Sequence, residues 1–375
     1  MASITMNLPE VKLDNFETDK DVLTFTAKNV NTSIINAIRR VVLSEIPCVV
    51  FRTMPYEKSM VDITKNTCRM NNEIIKQRLS CIPIHITDLS IPLDKYVVEL
   101  DVKNDTNELM YITTKDFKIK DIESDRYLVD REVNRIFPKN ELTNEHILLS
   151  RLRPRLSDEI PGESLAFKAK MTISNAKEDS GFNVVSTCSY NFLKDVAAVQ
   201  EGWAKKEKDL RDRGMSDADL LFEKENWMIH DASRLYKKDE FKFIIETLGV
   251  FNNKFILAKA CDIMMEKLQK VIDDSTSESL KINDAETIMK AFDIILENED
   301  YSLGKSIEYG LHELFYKQTQ YLGFVGFRKQ HPHDSFSIIR LAFTNEATEK
   351  EAVYDVIKNA CEKVKTIFEQ FKGQL

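Results

Sequence analysis

Two distant segments of the chain follow the same order of strand, polar turn and amphipathic helix. In the first segment, the pattern predicts a strand over residues 23–27, a turn over 29–33 and a helix from about Ile34. In the second segment, it predicts a strand over 292–296, another polar turn and a helix from Leu303. A chain that builds one unit twice is expected to pair its two halves. This organisation is typical of assembly proteins rather than of enzymes.

The predicted helices carry apolar faces that one layer of strands cannot cover alone. We therefore expect the halves to pack face to face about a pseudo-two-fold axis, and Gly304 and Gly310 predict a close helix crossing there. A closing helix is predicted from about Thr348. The residues expected at the pairing interface are mostly apolar: Ile34, Ile38, Val42, Leu303, Gly304, Ile307, Leu311, Val364 and Phe368.

The predicted fold class is α+β, with two dimerisation units paired as an intramolecular pseudo-dimer and a mostly β domain inserted in the first. The alternating segments between residues 52 and 193 predict the inserted domain. The polar, serine-rich stretch after residue 272 predicts a linker. The boundaries are 1–51 with 239–272 for the first unit, 52–193 for the insert, 194–238 for a charged helical connection, 273–280 for the linker and 281–375 for the second unit.

Composition narrows the functional classes. The net charge of −8 disfavours a general nucleic-acid binder, so we expect only indirect DNA contact. Ten glycines among 375 residues include no phosphate-binding loop, and we predict no cofactor. The six cysteines form no close pairs, which predicts reduced thiols in a reducing intracellular compartment. No apolar run is long enough to cross a bilayer, so we expect no membrane association.

Two short motifs superficially indicate metal binding. His331-Pro332-His333 has no third ligand at useful spacing, which favours a structural turn. Asp217-Ala218-Asp219 lacks the third aspartate of a polymerase magnesium loop, which favours the start of a solvated helix. We therefore predict no metal site and no catalytic residue. A free-standing enzyme or a sequence-specific DNA-binding factor would need a polar cluster or a recognition motif that the sequence does not show.

Several short motifs follow one another in a fixed order. They are Asn36-Ala37-Ile38-Arg39-Arg40, Ser44-Glu45-Ile46-Pro47, Arg78-Leu79 with Ile82-Pro83-Ile84, and Arg151-Leu152-Arg153-Pro154. With them, the first 272 residues or so resemble the larger α-like assembly protein of multisubunit RNA polymerases, in its archaeal, D-like form. The last hundred residues or so, through Glu299-Asp300-Tyr301-Ser302-Leu303-Gly304 and Phe327, resemble its small, L-like archaeal partner. The fused arrangement is similar to that of nucleocytoplasmic large DNA viruses.

This resemblance implies a non-catalytic platform that docks the two largest catalytic subunits of a DNA-directed RNA polymerase, together with a small zinc-ribbon subunit. A viral source would place it in the virion and in the viral factory of the host cytoplasm. The residues that the resemblance assigns to partner binding lie in its motifs: Asn36, Arg39, Arg40, Glu45, Arg78 and Leu79. Whether Arg39 or Arg40 makes the contact stays open at this level.

Overall fold

The chain forms two compact units in the computed structural model, which describes residues 8–157, 159–285, 291–345 and 350–375. Unit 1 consists of the described residues of Met1–Val42, Thr187–Glu246 and Asn253–Leu375. Unit 2 consists of those of Leu43–Ser186 and Thr247–Asn252. The predicted domain boundaries differ from these limits by several residues.

The described residues contain eight α-helices and seventeen strands. The helices are α1 (Thr32–Ser44), α2 (Asn72–Ser80), α3 (Asp130–Ile136), α4 (Val196–Asp212), α5 (Asp217–His230), α6 (Asn253–Thr276), α7 (Tyr301–Leu311) and α8 (Glu351–Gly373). The strands are β1 (Lys12–Asp19), β2 (Val22–Lys28), β3 (Cys48–Val50), β4 (Val61–Asn66), β5 (Tyr96–Lys103), β6 (Met110–Thr113), β7 (Lys118–Asp121), β8 (Arg126–Tyr127), β9 (Leu148–Leu152), β10 (Ser164–Lys170), β11 (Thr172–Ser174), β12 (Val185–Lys194), β13 (Tyr236–Thr247), β14 (Ile282–Asp284), β15 (Ala291–Glu297), β16 (Leu322–Arg328) and β17 (Phe336–Phe343).

Unit 1 contains the same four-stranded sheet twice. The first sheet has the order β1-β2-β13-β12, and the second has the order β14-β15-β17-β16. In both sheets the first two strands in the chain are neighbours, and the last strand is inserted between the second and the third. The second strand leads into a helix, α1 or α7, and the last strand precedes a long helix, α6 or α8. The two halves of unit 1 therefore share one topology.

The turns that join strand to helix also match residue by residue. Asn29 follows β2 with a φ of 56°, and Asn298 follows β15 with a φ of 58°. Asparagine tolerates this left-handed conformation better than most residues. Two residues later, the Asn31 side chain accepts the Ser33 N–H at 2.8 Å and the Asp300 side chain accepts the Ser302 N–H at 2.9 Å. Each side chain satisfies a backbone donor that the first helical turn leaves without a partner.

The long helices α6 and α8 pack against each other in opposite directions. Lys372 pairs with Asp262 at 2.6 Å, and Lys365 donates to Gln269 at 2.9 Å, so the start of one helix faces the end of the other. The ring of Phe371 on α8 packs edge-on against that of Phe25 on β2, with 5.9 Å between centroids. Both rings are buried, so the last helix completes the core of the first sheet.

Unit 2 is mostly β. Its five-stranded sheet has the order β4-β10-β5-β7-β8, and β3 with β11 and β6 with β9 form two-stranded ladders. Helix α2 begins at Asn72, where the Asn71 side chain accepts the Ile74 N–H at 3.0 Å. Its Ile75 and Leu79 are fully buried in an apolar core shared with Phe167 of β10.

Helices α4 and α5 form a hairpin within unit 1. Their two tryptophans, Trp203 and Trp227, lie 5.8 Å apart by ring centroid and form a small core with Ala232. The charged side chains of this connection therefore surround a small apolar core. A pattern of mixed charges does not reveal that two separated tryptophans meet.

Two boundary predictions need correction. Helix α6 continues to Thr276, because Ile272 and Ser275 are buried, so half of the predicted linker is helical. The remainder is an ordered turn in which Glu278 has a φ of 56°. Strand β12, predicted in the insert, pairs with β13 instead. The predicted helix start at Thr348 lies outside the described residues, and α8 begins at Glu351.

Within the described ranges, no helix combines the length and the apolar character that a membrane span needs.

Candidate functional site

The arginine pair on α1 is divided between two environments. Arg39 donates its Nε–H to the Asn36 side chain, one turn earlier on the same helix, at 3.0 Å. Arg40 instead reaches the second half of unit 1. Its Nη2 lies 2.5 Å from Asp300 Oδ2, and its Nε lies 2.9 Å from Ser302 Oγ. The guanidinium of Arg40 is thus bound within the chain, and its contact with a partner stays a prediction.

Asp300 therefore has two tasks. One carboxylate oxygen caps α7 through the Ser302 N–H, and the other binds Arg40. Partial burial opposes the charged form of Asp300, but the Ser302 N–H and the Arg40 cation outweigh it, so the pKa lies below its usual value. The carboxylate thus stays ionised at neutral pH, and a helix N-terminus further stabilises that charge.

The Arg40–Asp300 contact has a counterpart in the repeat, at Tyr309. Tyr309 follows Asp300 by nine residues, as Arg40 follows Asn31. Tyr309 lines a cavity of about 530 Å³ together with Asn31 and Thr32, at the cap of α1. Burial, with the nearby carboxylates of Glu313 and Asp239, raises the pKa of Tyr309 to about 12. Each short helix therefore places its ninth residue near the cap of the other.

The residues predicted for the pairing interface are all buried within unit 1. Ile34, Ile38 and Val42 lie on the inner face of α1. On α7 the buried set includes Leu303, Gly304, Ile307 and Leu311, and on α8 it includes Val364 and Phe368. These side chains therefore form part of the core of unit 1.

The two glycines of α7 have different neighbours. A Cβ at Gly310 would lie 2.6 Å from Val364 Cγ2, so α7 and α8 cross closely there, but both helices belong to the second half rather than to opposite halves. A Cβ at Gly304 would lie 1.9 Å from a ring carbon of Phe327, which is on β16. The expected helix crossing at Gly304 is therefore wrong, because an aromatic ring from a strand occupies that space.

A second ion pair joins the same parts of the chain. Lys267 on α6 lies 2.9 Å from Glu299, and both side chains are largely buried. Sequence reasoning did not identify Lys267, Ser302 or Tyr309 as functional. Spacing could have identified Ser302 and Tyr309. They follow the cap Asp300 at the same distances in sequence as Ser33 and Arg40 follow the cap Asn31.

The predicted docking residues outside the arginine pair fall into two groups. Arg78 is exposed and donates Nη2–H to the Leu148 carbonyl at 2.7 Å, and Glu45 is half-buried. Leu79 is fully buried in the core of unit 2, so the prediction that it contacts a partner is wrong. The helical period places neighbouring residues about 100° apart, so Arg78 faces solvent while Leu79 packs inward.

The motifs considered for metal binding adopt ordinary local structure. The His331 backbone N–H donates to the Asp334 side chain at 2.9 Å in a turn, and Asp217 begins α5 after a Ser216 cap. Across the residues that the structure describes, no group of three or more histidine, cysteine or acidic side chains is arranged to hold a metal ion.

Comparisons of this chain with a family model and with known proteins all indicate the same family. Residues 24–268 match the family model described as the RNA polymerase Rpb3/Rpb11 dimerisation domain. The chain is 24% identical over 304 residues to the RPAC1 subunit of bovine RNA polymerases I and III, covering 70% of this chain and 84% of that protein. It is 25% identical over 281 residues to the Rpo3 subunit of Methanosphaera stadtmanae RNA polymerase, covering 68% of this chain and 96% of that protein. The human RPAC1 subunit is 24% identical over 312 residues, covering 70% of this chain and 84% of that protein.

Proposed function

Because the chain belongs to the RNA polymerase Rpb3/Rpb11 dimerisation-domain family, we propose that it is the assembly subunit of a multisubunit DNA-directed RNA polymerase. In this role it docks the two largest catalytic subunits and carries no catalytic residue or cofactor of its own. Relatives that bear the names of polymerase subunits, aligned over most of their length, support this assignment.

The observation that carries the proposal is the repeated topology of unit 1. The family match ends at residue 268, yet the chain continues with a second four-stranded sheet of the same order and a second pair of helices. We propose that 281–375 takes the place of a separate small partner and that 1–51 with 239–272 forms the larger partner's dimerisation unit. The two would form an intramolecular pseudo-dimer, with 52–193 as the insert.

Contacts across the halves of unit 1 support this pairing. The Arg40–Asp300 and Lys267–Glu299 ion pairs both join a residue of the first half to one of the second. Buried apolar faces on α1, α7 and α8 give the pairing its larger stabilisation, because apolar burial contributes roughly 25 cal/mol per Å². The ion pairs fix which residues face each other.

The proposed docking residues are the predicted ones that the fold leaves accessible. Asn36, Arg39, Glu45 and Arg78 are exposed or half-buried. Arginine is enriched where interfaces concentrate their binding energy. The proposed partners are the two largest subunits and a small zinc-ribbon subunit, and DNA contact is indirect. Arg40 is assigned to the internal pairing instead.

The proposed location is a reducing intracellular compartment, supported by six free cysteines. The fusion supports a viral source, for which the virion and the cytoplasmic viral factory are the proposed sites. Immunodetection of the chain in purified particles would test this part separately.

Affinity purification tests the function. A tagged chain, expressed in the cells where it occurs, is expected to recover both largest polymerase subunits in equimolar amounts by mass spectrometry. Arg39→Glu should reduce that recovery, while Arg131→Glu, an exposed arginine on α3, serves as the charge-matched control. Recovery of the chain alone from a transcribing extract would overturn the proposal.

A further inference from the structure

Four arginines line one cleft of unit 2. They are Arg69, Arg78, Arg151 and Arg153, and the cleft has a volume of about 530 Å³. Its walls also include apolar side chains, among them Leu109, which is 43% exposed. We call this surface the arginine cleft.

The charges in the arginine cleft are mostly uncompensated. Arg153 is held by Glu163, which accepts its Nε–H at 2.5 Å and its backbone N–H at 2.8 Å. In the part of the chain with described positions, Arg69, Arg78 and Arg151 have no carboxylate within salt-bridge distance. Arg78 binds the Leu148 carbonyl, and the Arg151 guanidinium lies 5.3 Å from the Tyr111 ring centroid. The Leu148 carbonyl and the Tyr111 ring orient guanidinium groups without neutralising them.

One buried polar group in the cleft wall is also unsatisfied. Ser150 is 2% exposed, and its hydroxyl oxygen has no nitrogen or oxygen partner. A buried hydroxyl without a strong partner costs free energy, which an incoming acceptor would recover.

We infer that the arginine cleft binds an acidic segment of another protein subunit, whose carboxylates pair with Arg69 and Arg151 and whose apolar side chain packs on Leu109. The identification of that protein as a polymerase subunit rests on the proposed function. Guanidinium groups bind carboxylates in a bidentate geometry that supplies both strength and orientation. The inference therefore assigns carboxylate recognition to the inserted domain.

Charge and shape favour a protein over a nucleic acid. A nucleic-acid groove follows a backbone with many cations, whereas this cleft holds four arginines in a chain of net charge −8. The exposed Leu109 and Tyr111 at 43% and 54% suit the apolar anchors of a protein segment. The Arg151 guanidinium lies over one face of the Tyr111 ring, which leaves that face less suited to stacking on a base.

Fluorescence anisotropy on the purified full chain tests the cleft directly. The probes are a labelled peptide rich in glutamate with two leucines, its glutamine counterpart, and an oligouridine of similar length. We expect the acidic peptide to bind more tightly than the other two, and its affinity to fall between about 50 and 200 mM salt. The double variant Arg69→Gln/Arg151→Gln should weaken binding about ten-fold or more, because it removes two charge-assisted contacts.

The matched control is Arg131→Gln/Arg135→Gln, which removes the same charge from arginines outside the cleft. Equal affinity for the glutamine peptide, tighter oligouridine binding, or equal losses in both double variants would overturn the inference. A photo-crosslinker at Leu109 in the purified polymerase should then capture an acidic peptide of a neighbouring subunit. If the unaltered chain does not bind the acidic peptide but still co-purifies with the polymerase, the cleft inference alone is rejected. If it binds the peptide but does not co-purify with the polymerase, the proposed function is rejected while the cleft inference stands.

Discussion

The guanidinium of Arg40 on α1 lies 2.5 Å from the carboxylate of Asp300. Asp300 caps α7, which is the counterpart of α1 in the second half of the chain. A residue of the motif that a resemblance assigns to partner docking is thus used inside the molecule. The contact ties α1 to the cap of α7, and the equivalent position in the repeat places Tyr309 beside the cap of α1. The repeat therefore extends from the topology to the contacts between the two short helices.

Charge reversal at Arg40 is expected to destabilise the chain. Arg40→Glu places a carboxylate against Asp300, and we expect the free energy of unfolding to fall by about 1–2 kcal/mol, since the pair is only partly exposed. The swapped double variant Arg40→Glu/Asp300→Arg should recover at least half of that loss. Urea denaturation measures both. An equal loss in the double variant would show that the two charges do not interact.

The same pair predicts a dependence of stability on pH. The pKa of Asp300 is lower in the folded chain than its usual value near 3.8. Its contribution is therefore fully present above that value and is lost as the pH falls through the folded pKa. We expect the stability advantage of the natural chain over Asp300→Asn to shrink as the pH falls below about 4. An advantage that stays constant or grows on acidification would contradict the assignment.

Gly304 is expected to tolerate no side chain. Gly304→Ala drives a methyl group into the Phe327 ring, and the unfolding free energy should fall by about 1–3 kcal/mol. Gly373→Ala is the control, because a Cβ there meets nothing within 4 Å. Combining Gly304→Ala with Phe327→Leu should cost less than the sum of the two single changes. Additive losses in thermal denaturation would mean that the ring is not the obstacle.

Thiol labelling should separate the cysteines by exposure. Cys81 is exposed, whereas burial raises the pKa of Cys48 to about 11 and that of Cys188 to about 12. Only a thiolate reacts rapidly, so we expect maleimide to label Cys81 first in the native chain at neutral pH. Peptide mapping identifies the labelled site, and Cys81→Ser removes the fast phase. Rapid labelling of the buried Cys261 or Cys361 would contradict the packing of α6 against α8.

The sequence predicted the parts of the fold that depend on local chemistry. The strand, polar turn and helix predicted in each half are present, with alternating apolar residues in β2 and β15 and helix caps at the end of both turns. Both signals need only neighbouring residues. The sequence missed β1, because the residues of this strand are mostly exposed and polar and its pairing with β2 is the main evidence for it.

The candidate site was less predictable, because side-chain partners come from distant segments. The motif contained both Arg39 and Arg40, but only the position of Asp300 separates their tasks. Leu79 shares a motif with Arg78, yet the core of unit 2 decides that one is buried and the other exposed. No local pattern states that Phe327 fills the space beside Gly304.

Native mass spectrometry of the purified polymerase tests the central claim most directly. If one chain supplies both members of the assembly pair, the intact complex contains a single copy of it beside each of the two largest subunits. No separate small α-like subunit should then be present. Two copies of this chain, or one copy with a separate small partner, would contradict the account.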